Sequence, residues 1–397
     1  MTDRPRRAYL GAAAAFAACM TGTTLPTPLY GLYQERLGFS ELMVTVVFAV
    51  YAFGVIGVLL LFGQVSDTVG RRPVLLCGLA CAAAGSAVFL AERGLAWLFA
   101  GRLLAGFAAG LFTGTATAYV LELAPPGRTA RAAFAATAAN MGGLGCGPLL
   151  AGVLAEYAPA PLRLPFLVHL ALLAGAFAVV RALPETVPDA RPARTARPRR
   201  PVLPPQVRGV FGPAAVAAFA GFSLLGLFTS VTPAFLAGSL GVHDHALVGL
   251  IVCAAFLAST GGQLLVPRLG AARAVPTGCL VLIGGLGLLA LSLATGTLAP
   301  LLLAALVGGA GQGLGLRGAV TLVAAAAPAT HRGGVLSALF VVGYLGISIP
   351  VIGVGLLDGP LGLPHAGLVF TACMAALAAT SAGWLLLRRG GRPADDH

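Results

Sequence analysis

The sequence GQVSDTVGRRP, at residues 63–73, is a short charged segment between two long apolar runs. Gly63 permits the close approach of a neighbouring helix, and Gly70 permits a tight turn, because glycine has no Cβ. Asp67 and Arg71 are four residues apart, which is the spacing at which two side chains meet on one face of a helix. The segment is therefore predicted to be a tight charged loop that joins two apolar helices.

The apolar runs on both sides of this loop belong to a pattern that continues along the whole chain. Of the 397 residues, 58% are hydrophobic and 10% are charged, whereas a soluble chain carries about a quarter charged residues. Twelve apolar blocks have the length of about 20 residues that a membrane-spanning helix needs. They lie at residues 8–30, 42–62, 74–92, 96–121, 132–157, 164–183, 211–238, 246–266, 274–294, 298–327, 334–356 and 365–387. The sequence predicts an all-α membrane protein with twelve transmembrane helices.

The distribution of positive charge predicts the orientation of these spans. All 25 basic residues are arginine, and cytoplasmic loops of membrane proteins are enriched in arginine and lysine. With a cytoplasmic N-terminus, twenty arginines lie inside, three lie outside and two lie within spans. The inside set is Arg4, Arg6, Arg7, Arg71, Arg72, Arg128, Arg131, Arg181, Arg191, Arg194, Arg197, Arg199, Arg200, Arg208, Arg268, Arg273, Arg332, Arg388, Arg389 and Arg392. We expect a multi-pass protein of the cell inner membrane with both termini in the cytoplasm.

The spans fall into two groups of six. We expect a first six-helix half at residues 1–183, a cytoplasmic linker rich in arginine and proline at 184–210, and a second six-helix half at 211–397. The linker has no apolar run, and such a composition is typical of a flexible connection.

The two halves also resemble each other. GFAAGLFTG, from Gly106 in the fourth span, is similar to GGAGQGLGL, from Gly308 in the tenth. GGLGCGPLLAG at residues 142–152 is similar to GYLGISIPVIG at residues 343–353. Duplicated halves joined by a linker are typical of transporters that rock around a central site.

Composition and motifs also exclude several classes of function. The net charge of +12 is spread over short loops, so no nucleic-acid partner is expected. The seven cysteines lie in apolar blocks without a CxxC pair, which argues against a disulfide framework or a zinc site. No nucleophile–base pair or phosphate loop indicates an enzyme. We expect a monomer in the lipid bilayer, with a small-molecule substrate, a proton as second partner and no cofactor.

The charged loop resembles the hallmark cytoplasmic loop of the major facilitator superfamily, G-x-x-x-D-x-x-G-R-R-x. The resemblance covers nearly the whole chain and implies that this loop is a cytoplasmic gate. Glu122, at the end of the fourth span, lies on the same side and is expected to be a second partner for Arg71. The predicted gate residues are Gly63, Asp67, Gly70, Arg71, Arg72 and Glu122.

Further motifs are similar to those of the superfamily or of its drug-efflux branch, a group of twelve-helix drug/proton antiporters. The fourth span contains R-x-x-x-G-x-x-x-G, a pattern of the superfamily as a whole, whose spacing places its members on one face. The fifth span contains a signature typical of exporters, G-x-x-x-G-P-x-x-G-G, with Ala151 in place of one glycine. The sixth span ends in LPET at residues 183–186. The exporter signature residues are Gly143, Gly147, Pro148 and Gly152.

Polar and aromatic residues inside the spans are candidates for contact with substrate, because polar groups in lipid are costly. The candidates are Tyr51, Arg102, Phe112, Asn140 and Gln312. For Arg102 two interpretations stay open, namely an anionic ligand or neighbouring backbone carbonyls. His169 is interpreted as a buried histidine with satisfied hydrogen bonds. The sequence His243-Asp244-His245 is interpreted as an outer loop rather than a metal site.

The leading hypothesis is proton-coupled export of small, largely apolar compounds by alternating access. The alternatives are an uptake or sugar/metabolite transporter of the same fold, or a facilitator without proton coupling. Coupling is the open point, because all thirteen acidic residues lie in loops, tails or at span ends. We expect the cluster of Asp67, Arg71 and Glu122 to carry the proton, since a carboxylate changes its proton affinity when an arginine leaves it.

Overall fold

The computed structural model describes residues 3–63, 65–188, 203–328 and 331–390. Side chains are described from residue 8 to residue 387 within these ranges. Most of the predicted linker, residues 189–202, lies outside them. The described residues form helices, turns and loops, with no β-strand among them.

Fifteen α-helices and one 3₁₀ turn, at Thr27–Leu29, occur in the described part of the chain. The helices are α1 (Asp3–Thr24), α2 (Tyr30–Leu37), α3 (Glu41–Phe62), α4 (Ser66–Val69), α5 (Arg71–Leu90), α6 (Leu95–Glu122), α7 (Thr129–Tyr157), α8 (Leu164–Ala182), α9 (Pro205–Ser230), α10 (Thr232–Leu240), α11 (His245–Leu269), α12 (Ala271–Thr295), α13 (Leu298–Ala326), α14 (Arg332–Leu361) and α15 (Leu363–Gly390).

Twelve helical segments of the described chain are long and apolar enough to cross a membrane. The first combines α1 and α2, and the others are α3, α5 to α9 and α11 to α15. The prediction of an all-α protein with twelve transmembrane helices is confirmed.

Proline explains where two spans differ from their predicted extent. The seventh span begins at Pro205, six residues earlier than predicted, because proline is favoured at the first position of a helix. Its helix ends at Ser230 and resumes at Thr232. Pro233 follows the break, and proline inside a helix removes a backbone hydrogen bond. The first span breaks in the same way around Pro26 and Pro28.

The described residues form two compact units. The first unit contains Met1–Pro201 and Thr229–Leu257, and the second contains Val202–Phe228 and Ala258–His397. In the first unit α1 packs on α6, α7 and α8, and α6 packs on α3 and α5. In the second unit α12 packs on α13 and α15, and α14 packs on α15.

Each unit contains a long helix with a proline in its middle, and each provides a hydroxyl group for the carbonyl that this proline leaves without a partner. Pro148 in α7 has no N–H for the carbonyl of Leu144, and the Thr24 hydroxyl donates to that carbonyl at 2.6 Å. In the second unit Pro350 lies four residues after Gly346 in α14. The Ser223 hydroxyl lies 2.9 Å from the Gly346 carbonyl oxygen and 2.7 Å from the Phe219 carbonyl oxygen of its own helix, so its one hydrogen is shared between the two acceptors.

The two contacts are therefore one structural device that occurs in both units. A backbone carbonyl inside a membrane needs a partner, and a side chain of a neighbouring helix can provide it. Thr24 fills this role from α1 and Ser223 from α9.

We expect Thr24→Val and Ser223→Ala each to lower the stability of the folded protein by about 1–2 kcal/mol, because a buried carbonyl loses its donor. The measurement is the free energy of unfolding in detergent micelles. Thr113→Val is the matched control, because the Thr113 hydroxyl bonds to the Ala109 carbonyl within its own helix and no proline frees that carbonyl. Equal losses for Thr24→Val and Thr113→Val would contradict this account.

Candidate functional site

Arg71 is the centre of a cluster of polar side chains at the start of α5. Its Nη1 donates to Asp67 Oδ1 and, at 2.7 Å, to Ser66 Oγ. Its Nη2 and Nε donate to Glu122 Oε1, at 2.9 and 3.2 Å. The Arg71 side chain is 12% exposed, whereas those of Asp67 and Glu122 are 59% and 35% exposed. One guanidinium thus joins the 63–73 loop to the end of α6.

A second carboxylate, that of Glu185, holds the first turn of α5 from the exit of α8. Glu185 Oε1 accepts from the Arg71 N–H at 2.9 Å, and Oε2 accepts from the Arg72 N–H at 3.0 Å. The first N–H groups of a helix have no partner within the helix and carry a partial positive charge. Glu185 therefore caps α5 although it lies more than a hundred residues later in the chain.

Gly70 permits this cap for two reasons. Its φ is +105°, a backbone conformation that is strained for residues other than glycine. A Cβ at this position would lie 2.7 Å from Glu185 Oε2, inside the van der Waals distance. The predicted tight turn at Gly70 thus also makes room for the carboxylate, while Gly63 directly follows the last residue of α3.

Three more contacts fasten the same corner of the first unit. The Thr186 hydroxyl donates to Glu122 Oε2, and Arg72 Nη2 donates to the Arg181 carbonyl. The Tyr119 hydroxyl donates to the Pro184 carbonyl at 2.6 Å. The end of α6, the start of α5 and the exit of α8 therefore form one hydrogen-bonded group, which we call the Arg71 cluster. It comprises Ser66, Asp67, Arg71, Arg72, Tyr119, Glu122, Glu185 and Thr186.

The motif in the fourth span packs against α3. A Cβ on Gly106 would overlap the Tyr51 carbonyl oxygen, and a Cβ on Gly110 would lie 2.7 Å from Val58 Cβ. Arg102 lies on the same face, because its Nη2 donates to the Phe48 carbonyl at 3.3 Å. The predicted single face, with glycines that allow a close neighbour, is present.

Arg102 is buried, with 1% of its surface exposed. Its Nη1 donates to the Thr23 carbonyl, and its guanidinium lies 4.7 Å from the ring centre of Tyr51 and 5.2 Å from that of Phe48. Its Nε has no hydrogen-bond partner among the described residues. Of the two interpretations of Arg102, backbone carbonyls are the partners present in this structure.

The exporter signature uses two faces of α7. Toward α1, a Cβ on Gly143 would lie 2.5 Å from the Ala17 carbonyl oxygen, and one on Gly147 would overlap the Thr21 carbonyl oxygen. Toward α11, a Cβ on Gly152 would overlap the His245 carbonyl oxygen. A Cβ on Gly249 of α11 would in turn overlap the Pro148 carbonyl oxygen. Both helices therefore approach α7 at backbone distance.

The remaining candidates for substrate contact differ in their burial. Phe112 is fully buried and packs on Phe16 and Gly78. Gln312 is buried in the second unit, where the Ser259 hydroxyl donates to its Oε1 at 2.6 Å and its Nε2 has no partner among the described residues. Asn140 in α7 is partly exposed. Their role in substrate binding stays a prediction.

A small cavity in the first unit lies next to His169. Its volume is about 10 Å³, room for roughly one water molecule. His169 Nε2 lies 3.0 Å from the Ala18 carbonyl oxygen and its Nδ1 lies 2.8 Å from Ser86 Oγ. The interpretation of His169 as a buried, satisfied histidine agrees with these contacts. Within the described residues, no group of His, Cys, Asp or Glu side chains could hold a metal ion.

Several members of these contacts were not expected from the sequence. Ser66, Thr186 and above all Glu185 belong to the Arg71 cluster. Thr24, in α1, donates to the Leu144 carbonyl of the signature helix α7. The LPET sequence marked the place of Glu185 but not its target. The proline at position 148 indicated that the Leu144 carbonyl needs a donor, but not which residue provides it.

A sequence model of the Major Facilitator Superfamily matches residues 11–351. The chain belongs to this superfamily, whose members are membrane transporters.

Individual proteins with related sequence or structure agree with this assignment. Over 107 residues, 27% of the chain, it is 32% identical to the inner membrane transport protein YajR of Escherichia coli (strain K12), and the match spans 24% of YajR. The structure is similar to the human organic anion transporter MFSD10 (TETRAN), with a TM-score of 0.67, 18% identity and coverage of 96% of this chain and 99% of that one. It is also similar to a bacterial homologue of the human lysosomal transporter Spinster in an inward-facing, unoccupied conformation, with a TM-score of 0.71, 15% identity and coverage of 99% and 100%.

We expect Glu185→Gln to loosen the start of α5 without unfolding the protein. The variant loses a charged acceptor of backbone N–H groups, which costs about 1–2 kcal/mol locally. Hydrogen exchange of the amides at residues 70–74 should then be roughly five- to thirtyfold faster. Glu35→Gln, a change at an exposed glutamate, is the control and should leave these amides unchanged. Protection of residues 70–74 equal to the wild type in Glu185→Gln would show that Glu185 is not the cap.

Proposed function

We propose that this transporter exports small, largely apolar compounds from the cytoplasm in exchange for protons, by alternating access. The observation that carries the proposal is the double contact of α7. The signature residues Gly143 and Gly147 pack on α1, while Pro148 and Gly152 pack on α11. A helix held at backbone distance on two sides is suited to keep one contact and to release the other when a site opens.

The choice of export over uptake is supported by the same helix. The order of glycine and proline in α7 is similar to the signature of exporters, and here Gly143, Gly147 and Gly152 each meet the backbone of a neighbouring helix. The proposed orientation follows from the excess of arginine in the loops on the side of the 63–73 loop. It makes this loop cytoplasmic and puts the end of α7 at Tyr157 outside.

We further propose that the Arg71 cluster is the cytoplasmic gate. Arg71 is mostly buried, but its acidic partners Asp67 and Glu122 are partly open to solvent. Protons can therefore reach these carboxylates, and protonation would weaken their hold on the guanidinium. A group that binds a proton in one conformation and releases it in another couples proton flow to the conformational change of the transporter. The proton is proposed to be carried by Asp67, Arg71 and Glu122 as a unit.

The test is transport of a fluorescent apolar dye into inverted membrane vesicles, with the vesicle interior made acidic. We expect uptake that stops when an uncoupler collapses the pH gradient. Uptake that continues after the pH gradient has collapsed would contradict proton coupling and favour a facilitator. Transport of the dye only in the opposite direction would contradict export.

Asp67→Asn tests the role of the gate in the same assay. We expect a loss of roughly tenfold or more in the initial rate at equal expression, since coupling between sites typically amounts to 5–150-fold. Asp358→Asn, a change in α14 outside the Arg71 cluster, is the matched control and should transport like the wild type. Wild-type transport by a well-expressed Asp67→Asn variant would remove Asp67 from the gate.

A further inference from the structure

At the end of the first unit opposite the 63–73 loop, an ionisable pair joins α7 to α11. Glu156 is the last residue but one of α7, and His245 is the first residue of α11. Glu156 Oε2 lies 3.0 Å from His245 Nδ1 and also accepts from the His245 N–H at 3.0 Å. The side chains of His245 and Glu156 are 25% and 30% exposed. One carboxylate oxygen thus caps α11 and pairs with its first side chain.

The pair lies directly at the backbone contact between the two helices. Gly152 is one helical turn before Glu156, and a Cβ there would overlap the carbonyl oxygen of His245 itself. A second glycine, Gly249, brings α11 against the Pro148 carbonyl one turn further along. Separation of α7 from α11 at this end therefore requires the bonds between Glu156 and His245 to break.

Other charged or titratable groups occur on the elements near this end. Asp244 Oδ1 accepts from the Leu247 N–H at 2.9 Å, and the neighbouring His243 is exposed. Besides α1, α6 and α11, α7 packs on the 3₁₀ turn at Thr27–Leu29, which has no charged side chain, and on α8, which Arg163 precedes. The helix α2, which packs on that turn and on α10, carries Glu35 and Arg36. Arg36 Nη1 lies 3.5 Å from Oε2 of the buried Glu92.

We propose that His245 and Glu156 form a proton-dependent latch that closes the outer side of the transporter. The inference rests on the proposed alternating access, because it assigns the pair to the conformation in which α7 and α11 touch. A neutral imidazole can donate one hydrogen bond to Glu156, whereas a protonated one adds a charge to the contact. Histidine changes its charge between about pH 5 and 8, so the strength of the latch follows the pH outside the cell.

The direction of the effect follows from linkage. The charged pair between a protonated imidazole and Glu156 exists only while the outer side is closed. Acidification therefore favours the closed conformation, which is the one that gains this contact. An acidic exterior would thus close the outer side, and a neutral or alkaline exterior would favour its opening.

The experiment measures the distance between spin labels at the outer ends of α7 and α10, in full-length protein in lipid nanodiscs. The labels replace Tyr157 and Ser239, both exposed, in a chain whose native cysteines are replaced. In the otherwise wild-type chain, the ratio of short to long distances should rise roughly two- to fivefold from pH 8 to pH 5.5, the size expected of a partly exposed charge pair. His245→Gln and Glu156→Gln should each abolish this dependence on pH.

The matched control is His365→Gln. His365 lies near the start of α15, and its Nδ1 is 3.1 Å from the Leu361 carbonyl oxygen rather than near a carboxylate. This variant should keep the full response to pH. Distances that do not change with pH in the wild type, or that respond equally in His245→Gln, would overturn the latch.

Dye transport in the same proteins separates this inference from the proposed function. If the label distances respond to pH through His245 but the protein does not export the dye, the latch stands and export is refuted. If the protein exports the dye in a proton-driven way but its label distances do not change with pH, only the latch is refuted.

Discussion

Every backbone N–H and C=O group in the interior of a membrane needs a partner within the protein, and this requirement determines how the helices of this chain meet. Helices that approach to backbone distance need residues without side chains at the contact, and glycine provides them at Gly106, Gly143 and Gly147. Proline opens a gap in the bonding of α7 and α14, and a hydroxyl from a neighbouring helix fills it in each unit. Small residues therefore set the distances between helices, and single hydroxyl groups provide partners for the carbonyls that proline frees in α7 and α14.

The charged end of the first unit follows the same rule with stronger partners. The start of α5 exposes N–H groups that need acceptors, and the carboxylate of Glu185 provides them from another span. This cap fixes the place from which the Arg71 side chain reaches Asp67 and Glu122. The same contacts that bond the free N–H groups of α5 therefore also position the proposed gate, because the Arg71 guanidinium is held where α5 begins.

The sequence allowed the prediction of features that depend on local spacing. The number of spans follows from apolar length, and the pairing of Arg71 with Asp67 and the glycine face of α6 follow from residues four apart. The pairing of Arg71 with Glu122 was expected because Glu122 ends the fourth span on the same side as the 63–73 loop. Glu185 was not predicted as a cap, because its target lies more than a hundred residues earlier and depends on the path of the chain after α8. The break of the seventh span was missed because its apolar character continues through Val231, although Pro233 offered a signal. The substrate contacts proposed at Tyr51, Phe112 and Gln312 rest on residue type alone, and burial within a unit does not decide between packing and binding.

The central claim is that α7 keeps its contact with α1 and releases its contact with α11 during each transport cycle. The initial rate of dye transport by Gly152→Leu tests it most directly, measured beside Gly175→Leu, a change at a helical glycine with no atom within 4 Å of its added Cβ. A leucine at position 152 cannot fit against the His245 carbonyl, so the closed contact with α11 cannot form. The account predicts that Gly152→Leu is inserted in the membrane but transports at least about tenfold more slowly than Gly175→Leu. Equal rates for the two variants would contradict it.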